Sequence, residues 1–296
     1  MAVSSLTIAI GIASAGRRDV LADTIGFLDH QTRRADALII CPAKPEDLDE
    51  GRLEAYNAPV HVVYGPLGLP AQRNTILANT DADLIIFFDD DFLPAPDFIE
   101  ETERLFLTHP DVVIATGEVA ADGINGPGLS HIEGTDIIRN LPPKPADQIA
   151  VTYGGYGCNT VVRLAPVRAH NLRFDENLPL YAWLEDIDFS RQLAPYGRIV
   201  RSSRLRGVHL GTKRSGRSPG DRLGYSQIAN PAYLVRKGTM SWPYGYRHIA
   251  KNITANLVKS LKPEPWVDRK GRLCGNLKGL NDWIRGRLKP SNILDM

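Results

Sequence analysis

Three consecutive carboxylates, Asp89, Asp90 and Asp91, follow the apolar run Leu84-Ile85-Ile86-Phe87-Phe88. Branched and aromatic residues in such a run predict a buried strand, and strand ends of open α/β sheets are where ligands bind. Three like charges packed there repel one another, and no basic residue follows closely. A divalent cation resolves the repulsion. Hard carboxylate oxygens suit Mg2+ or Mn2+, which usually arrives with substrate phosphates. Helix capping ahead of the segment after Pro94 explains one aspartate, not three.

A second acidic group lies about a hundred positions later, in Trp183-Leu184-Glu185-Asp186-Ile187-Asp188-Phe189. A helix dipole favours acids in a first turn, which by itself accounts for the composition. The spacing adds something. Glu185 and Asp188 are three apart and Asp186 falls on another face, so at least one carboxylate points inward. A carboxylate at a helix start beside a cation site can act as a general base. Group transfer from a phosphate ester needs that division of labour.

Alternating strand and helix patterns are expected to position these groups. Strands are predicted at Leu6–Ile12, Ala37–Cys41, Val60–Tyr64, Leu84–Phe88 and Val112–Thr116. Helices are predicted at Arg17–His30, Leu48–Tyr56, Pro70–Asn79, Pro96–Leu107 and Ala182–Leu193. Such alternation predicts an α/β fold with a mostly parallel central sheet and helices on both faces. Residues 120–150, rich in Gly, Pro and polar groups, read as a long loop. Residues 153–158 read as a glycine-rich turn. After Asp221 the pattern is helical, roughly over 222–237, 245–261 and 275–287. A boundary is placed near residue 240. Residues 1–240 would form the catalytic domain, its nucleotide-binding half about 1–118 and its acceptor half about 119–240, followed by a basic helical extension over 241–296.

The sequence resembles inverting family-2 glycosyltransferases of GT-A fold, of the non-processive bacterial type. Phe87-Phe88-Asp89-Asp90-Asp91-Phe92-Leu93-Pro94 looks like that family's Asp-x-Asp strand end. Gly157-Cys158-Asn159-Thr160 with Arg163, followed by Phe174-Asp175-Glu176, looks like its acceptor-side segment, and Glu185-Asp186 like its catalytic pair. Ser14 to Arg17 and Gln72-Arg73-Asn74 resemble its nucleotide-contacting stretches. These matches cover about residues 6–210, in the expected order.

The resemblance implies roles. Asp91 would ligate Mn2+ or Mg2+. Asp89 and Asp90 would contact the ribose or assist the metal, and Ser14, Arg17, Arg73 and Asn74 would contact the nucleotide. Asp186 would deprotonate the acceptor hydroxyl, Glu185 would help to position it, and Asn159 and Trp183 would line the acceptor side. One in-line displacement from a nucleotide-diphosphate sugar would move one sugar to a glycan or lipid-linked acceptor, in bacterial polysaccharide or glycolipid assembly. His209 reads either as a structural histidine or, as in related GT-A enzymes, as the group completing the metal site. Lys213, Arg214 and Arg217 form either a solvated basic loop or a lid over the diphosphate. The chain departs from the family in one place. Where an aspartate usually follows the second strand to contact the base, it reads Cys41-Pro42-Ala43-Lys44. The Gln-x-x-Arg-Trp pattern of processive synthases is absent.

Composition sets the outer bounds. The 296 residues carry a net charge of +1, but residues 201–296 hold 20 Lys/Arg against 5 Asp/Glu while residues 1–200 hold 15 against 29. With Trp242, Tyr244, Tyr246, Trp266 and Trp283 interspersed, the basic part suits an anionic membrane surface. Helices packed back on the catalytic domain or on a second subunit explain the same pattern. Three cysteines without metal-like spacing fit a reducing compartment. No basic residue precedes the first apolar stretch, so no signal peptide is read. The expectation is a cytoplasmic protein, peripheral on the inner face of the cytoplasmic membrane, its oligomeric state open. Two other readings compete. A sugar nucleotidyltransferase would also use a strand-end aspartate. A nucleic-acid-binding protein would use the basic third, but the acidic remainder repels nucleic acid, so none is expected.

Overall fold

The computed structural model describes residues 5–213 and 219–296. Its centre is a nine-stranded sheet. The first strands and helices are β1 (Ile8–Ser14), α1 (Arg18–Leu28), β2 (Ala37–Pro42), α2 (Glu50–Glu54), β3 (Val60–Val62), α3 (Leu69–Ala78) and β4 (Leu84–Asp89). These four strands run parallel in the order β3-β2-β1-β4. Strands buried on both faces read as unbroken apolar runs. Accordingly Ile8, Ile10, Ile12, Ile86 and Phe88 enter one core layer, while Ala9, Ile85 and Phe87 enter the other. Gly11 lets α3 press against β1, since a Cβ there would lie 2.8 Å from Ile76.

Beyond β4 the sheet is mixed. It adds β5 (Phe92–Pro94), α4 (Phe98–Thr108), β6 (Val112–Asp122), α5 (His131–Arg139), β7 (Ile149–Val151), β8 (Asn159–Arg163), α6 (Leu164–Ala169), α7 (Glu185–Leu193) and β9 (Arg198–His209). β8 inserts antiparallel between β4 and β6, and the long β9 pairs with β5, β6 and β7. The expected loop over 120–150 is corrected here. β6 runs to Asp122, α5 follows, and β7 pairs with β9. A capping box starts α5: the Ser130 hydroxyl accepts from the Glu133 amide, and Glu133 returns a bond to the Ser130 amide.

Three helices complete the described chain: α8 (Gly220–Lys237), α9 (Trp242–Lys259) and α10 (Arg269–Ile284). α8 and α10 cross at Gly224 and Gly275, where a side chain would meet the backbone of the opposite helix. Between them and α9 a buried amide cluster is satisfied internally. Asn256 Nδ2 donates to Gln227 Oε1 and Asn276 Oδ1, and Asn276 Nδ2 to the Gly224 carbonyl. No helix among the described residues is long and apolar enough to cross a membrane.

Candidate active site

Strand register brings distant residues together. β1 and β4 lie side by side with Ala13 level with Asp89, so Ser14 and Asp90 leave the sheet at the same edge. β5 lies antiparallel to β9 with Phe92 opposite His209, and the Leu210 amide donates to the Asp91 carbonyl at 2.9 Å. His209 is thereby set beside Asp91.

Asp89, Asp91 and His209 each turn one ligand atom into a common space, all within 4.8 Å of one another. His209 Nε2 lies 3.4 Å from Asp91 Oδ1 and 3.9 Å from Asp89 Oδ2. Its Nδ1–H donates to Asp122 Oδ1 at 2.8 Å, and the Tyr156 hydroxyl donates to Asp122 Oδ2 at 2.8 Å. Fixing one ring nitrogen on a carboxylate aims the other at the site, the usual outer support of a metal-binding histidine. Asp91 is nearly fully buried and its second oxygen accepts from the Thr212 amide at 2.8 Å. Burial disfavours a charged His209, but the bonds to Asp122 and Asp91 outweigh it and push its pKa up to about 10. Burial likewise opposes ionisation of Asp91, and His209 and Arg17 prevail, holding it well below the usual carboxylate range. Two carboxylates and an imidazole, with positive charge demanded between them, could hold a divalent cation.

Asp90 points elsewhere. It is fully buried, accepts from Ser14 Oγ at 2.5 Å and pairs with Arg17 at 2.5 Å. Its backbone carbonyl accepts from Thr24 Oγ1 at 2.7 Å. Burial raises its pKa and Arg17 opposes the rise. The carboxylate expected to meet the nucleotide thus orients Arg17, whose guanidinium also reaches Asp91 at 3.5 Å.

The second acidic pair sits across the cleft at the start of α7. Arg73, buried on α3, pairs with Glu185 at 2.5 Å and Asp89 at 3.2 Å, and donates to the Gly157 carbonyl at 2.8 Å. One guanidinium therefore bridges the two acidic clusters. Asp186 has no such direct partner. Its Oδ2 accepts from the Gly157 amide at 3.0 Å and its Oδ1 from the Ile187 amide at 2.8 Å. Burial raises the pKa of both carboxyls; the Ile187 and Gly157 amides moderate the rise at Asp186, and Arg73 opposes it at both. The approach to α7 is strained, since Leu180, Ala182 and Leu184 have φ of 58°, 50° and 75°. Left-handed backbone at non-glycine residues costs energy and collects at functional sites.

Two depressions share Leu69, Asp89 and Tyr181 and so form one cleft. One, of about 290 Å³, is lined by Ser14, Arg17, Gln72 and Arg222. The other, of about 380 Å³, holds Arg73, Trp183, Glu185, Asp186 and His209. Tyr244 and His248 on α9 also line the second. Sequence reasoning did not single out His248, Arg222, Asp122 or Tyr156 as site residues, because only register and helix packing bring them in. Two expected contacts lie behind the cleft wall. Asn74 is buried and bonds both backbone polar groups of Phe174. Asn159 is fully buried, its Oδ1 accepting from Thr116 Oγ1 and the Gly117 amide. Lys213 Nζ donates to the Ile124 carbonyl at 2.8 Å; Arg214 and Arg217 lie outside the described residues.

Comparison with solved structures returns the same architecture at low identity. The mannosyltransferase PcManGT of Pyrobaculum calidifontis, solved with GDP-Man and Mn2+, is 12% identical with a TM-score of 0.61, over 94% of this chain and 88% of that one. Residues 1–349 of S. aureus TarS, solved with UDP-GlcNAc, give 12% and 0.59 over 97% and 83%. Against the longer TarS structure the TM-score is 0.54, at 12% identity over 88% of this chain, which spans 46% of that one. No curated protein sequence matches. The model of Glycosyl transferase family 2 matches residues 10–163, more than half of the chain, from within β1 through the aspartate cluster to the end of β8. This chain therefore belongs to glycosyl transferase family 2 and is a glycosyltransferase of GT-A fold.

Proposed function

We propose that the chain moves one sugar, with inversion, from a nucleoside-diphosphate sugar to a hydroxyl of a glycan or lipid-linked acceptor. One observation carries this reading: a single cleft holds a triad suited to a cation at Asp89, Asp91 and His209 and, beside it, a carboxylate with no direct cationic partner at Asp186. The nucleotide fits the depression of Ser14, Arg17 and Gln72, with Arg17 and Lys213 adding charge for the diphosphate. A bound Mn2+ or Mg2+ would neutralise charge on the leaving diphosphate. Asp186 takes the proton from the acceptor hydroxyl. The acceptor oxygen bonds to the anomeric carbon from the face opposite the phosphate, the carbon–oxygen bond to the phosphate breaks, and the nucleoside diphosphate leaves with the electron pair. Trp183, Tyr244 and His248 line the space for the acceptor, and Glu185 with Arg73 holds the start of α7 in place.

The test separates base from binding. Asp186→Asn is expected to lower transfer by roughly 10²–10⁴-fold while leaving the thermal shift with Mn2+ and a nucleoside diphosphate intact. Equal loss of both would overturn the base assignment, and a full shift in the presence of chelator would overturn the cation.

A further inference from the structure

We infer that the outward face of α9 docks on an anionic lipid bilayer. Spacings of four, four, four, three and four carry Trp242, Tyr246, Ala250, Thr254, Leu257 and Leu261 along one side of α9 and its continuation. Trp242, Leu257 and Leu261 are 66%, 56% and 89% exposed, an unusual outlay of large apolar surface on one helix. Beside this stripe run Arg247, Lys251 and Lys259, and residues 242–261 contain no acidic residue. Among the described residues Arg247 and Lys251 make no ion pair, and the nearby Glu264 is engaged by Lys259 and Arg269. Tyr246 stacks on Trp283 at 5.8 Å, with Ile284 exposed next to it, so aromatic and aliphatic groups continue onto α10.

A helix with aromatic and aliphatic groups on one side and only basic charge around them matches a surface of anionic headgroups over acyl chains. A second copy would bring the same uncompensated positive charge to the interface and be repelled. With no helix suited to span a membrane among the described residues, α9 would lie along the surface over about 27 Å, at 1.5 Å per residue. The inward side of the same helix supplies Tyr244 and His248 to the cleft. Resting on the transferase reading above, docking would hold the cleft one helix diameter, ~10 Å, from the lipid surface, where a lipid-linked acceptor is presented.

Co-sedimentation of the full chain with vesicles tests this. Binding is expected to phosphatidylglycerol–phosphatidylcholine vesicles and not to phosphatidylcholine alone, and to weaken with salt. Arg247→Gln and Lys251→Gln should each weaken it about fivefold, and the pair Leu257→Asp with Val258→Asp should abolish it. These side chains are exposed, so melting temperature and the nucleoside-diphosphate thermal shift should not change. Equal binding to neutral vesicles, or no effect of the aspartate pair, would overturn the inference. So would salt-sensitive binding to RNA or DNA without vesicle binding, or a dimer without lipid that the aspartate pair dissolves. Loss of vesicle binding with donor binding intact removes the docking surface alone. Absent donor binding removes the transferase reading and leaves the docking result standing.

Discussion

Asp122 makes no contact with the cleft's carboxylates, yet it decides how His209 presents itself. Its bond to Nδ1 fixes the ring's orientation and aims Nε2 at Asp91. Asp122→Ala is expected to weaken Mn2+ binding by about 10–100-fold, with Asp122→Asn recovering part of the loss, read by calorimetric titration. Unchanged affinity would make Asp122 a bystander. Asp186 leads to a pH prediction. Burial raises its pKa above the ordinary carboxylate value, so the base form is lost as pH falls through a value higher than usual. The acid limb of kcat/KM should therefore lie above about 4, the range of an ordinary aspartate, and a rate flat down to that range would contradict the assignment. The clusters at Asp89–Asp91 and Glu185–Asp186 were legible because like charges crowded at the end of an apolar run are conspicuous in sequence. Asp122 and Tyr156 were not legible, because their meaning depends on the pairing of β6 with β9, which no local pattern encodes.

Among the elements, α7 carries the Glu185–Asp186 pair, and its orientation is held by more than its own backbone. Asp188 is fully buried and accepts from Lys237 Nζ at 2.7 Å, Gln192 Nε2 at 2.8 Å and Thr239 Oγ1 at 2.5 Å. Lys237, at the end of α8, also pairs with Asp175 at 2.6 Å. Lys237→Met would leave the buried Asp188 without its cation, a loss of about 3 kcal/mol, measurable by chemical denaturation. A change below about 1 kcal/mol, the scale of a surface pair, would mean that the bridge contributes no more than an exposed one. The same bridge has a pH signature. Burial alone would raise the pKa of Asp175, but the bond from Lys237 and those from Asn177 and Tyr233 hold it below the usual range. Its contribution is therefore present above the unfolded-state value and lost as pH falls through the folded one. Of these elements, α7 and the strands β1, β2, β3, β4 and β6 were readable from the residue pattern, whereas β8, inserted antiparallel between β4 and β6, was not. α5 was announced by Ser130-x-x-Glu133 but was hidden by surrounding Gly and Pro. The short β5 and β7 were invisible because three residues carry no period, and they exist as strands only because β9 pairs with them.

On the scale of the whole molecule, the basic last third forms one wall of the cleft. α8 brings Arg222 to the depression of Ser14, Arg17 and Gln72, and α9 brings Tyr244 and His248 to the one that holds Arg73 and Asp186. The charge split runs along the same division: residues 1–200 hold the carboxylates of both acidic clusters, and the basic helices of residues 201–296 supply Arg222, Tyr244 and His248 to the cleft wall. The family match ends at residue 163, so this wall is where the chain's own acceptor preference can reside. Its placement rests on the α8–α10 crossing, where a Cβ on Gly275 would lie 2.7 Å from the Tyr225 amide nitrogen and closer still to the Asp221 carbonyl. Gly275→Val should force the helices apart at a cost of about 1–3 kcal/mol. Because Arg222 moves with α8, the nucleoside-diphosphate thermal shift should shrink as well, at temperatures where the variant is still folded. A variant that melts earlier but binds the nucleotide as tightly as before would show that the crossing stabilises the fold without shaping the donor side. Retained donor binding with a raised acceptor KM would confine its influence to α9. Loss of both would show that the three helices set the two sides of the cleft together.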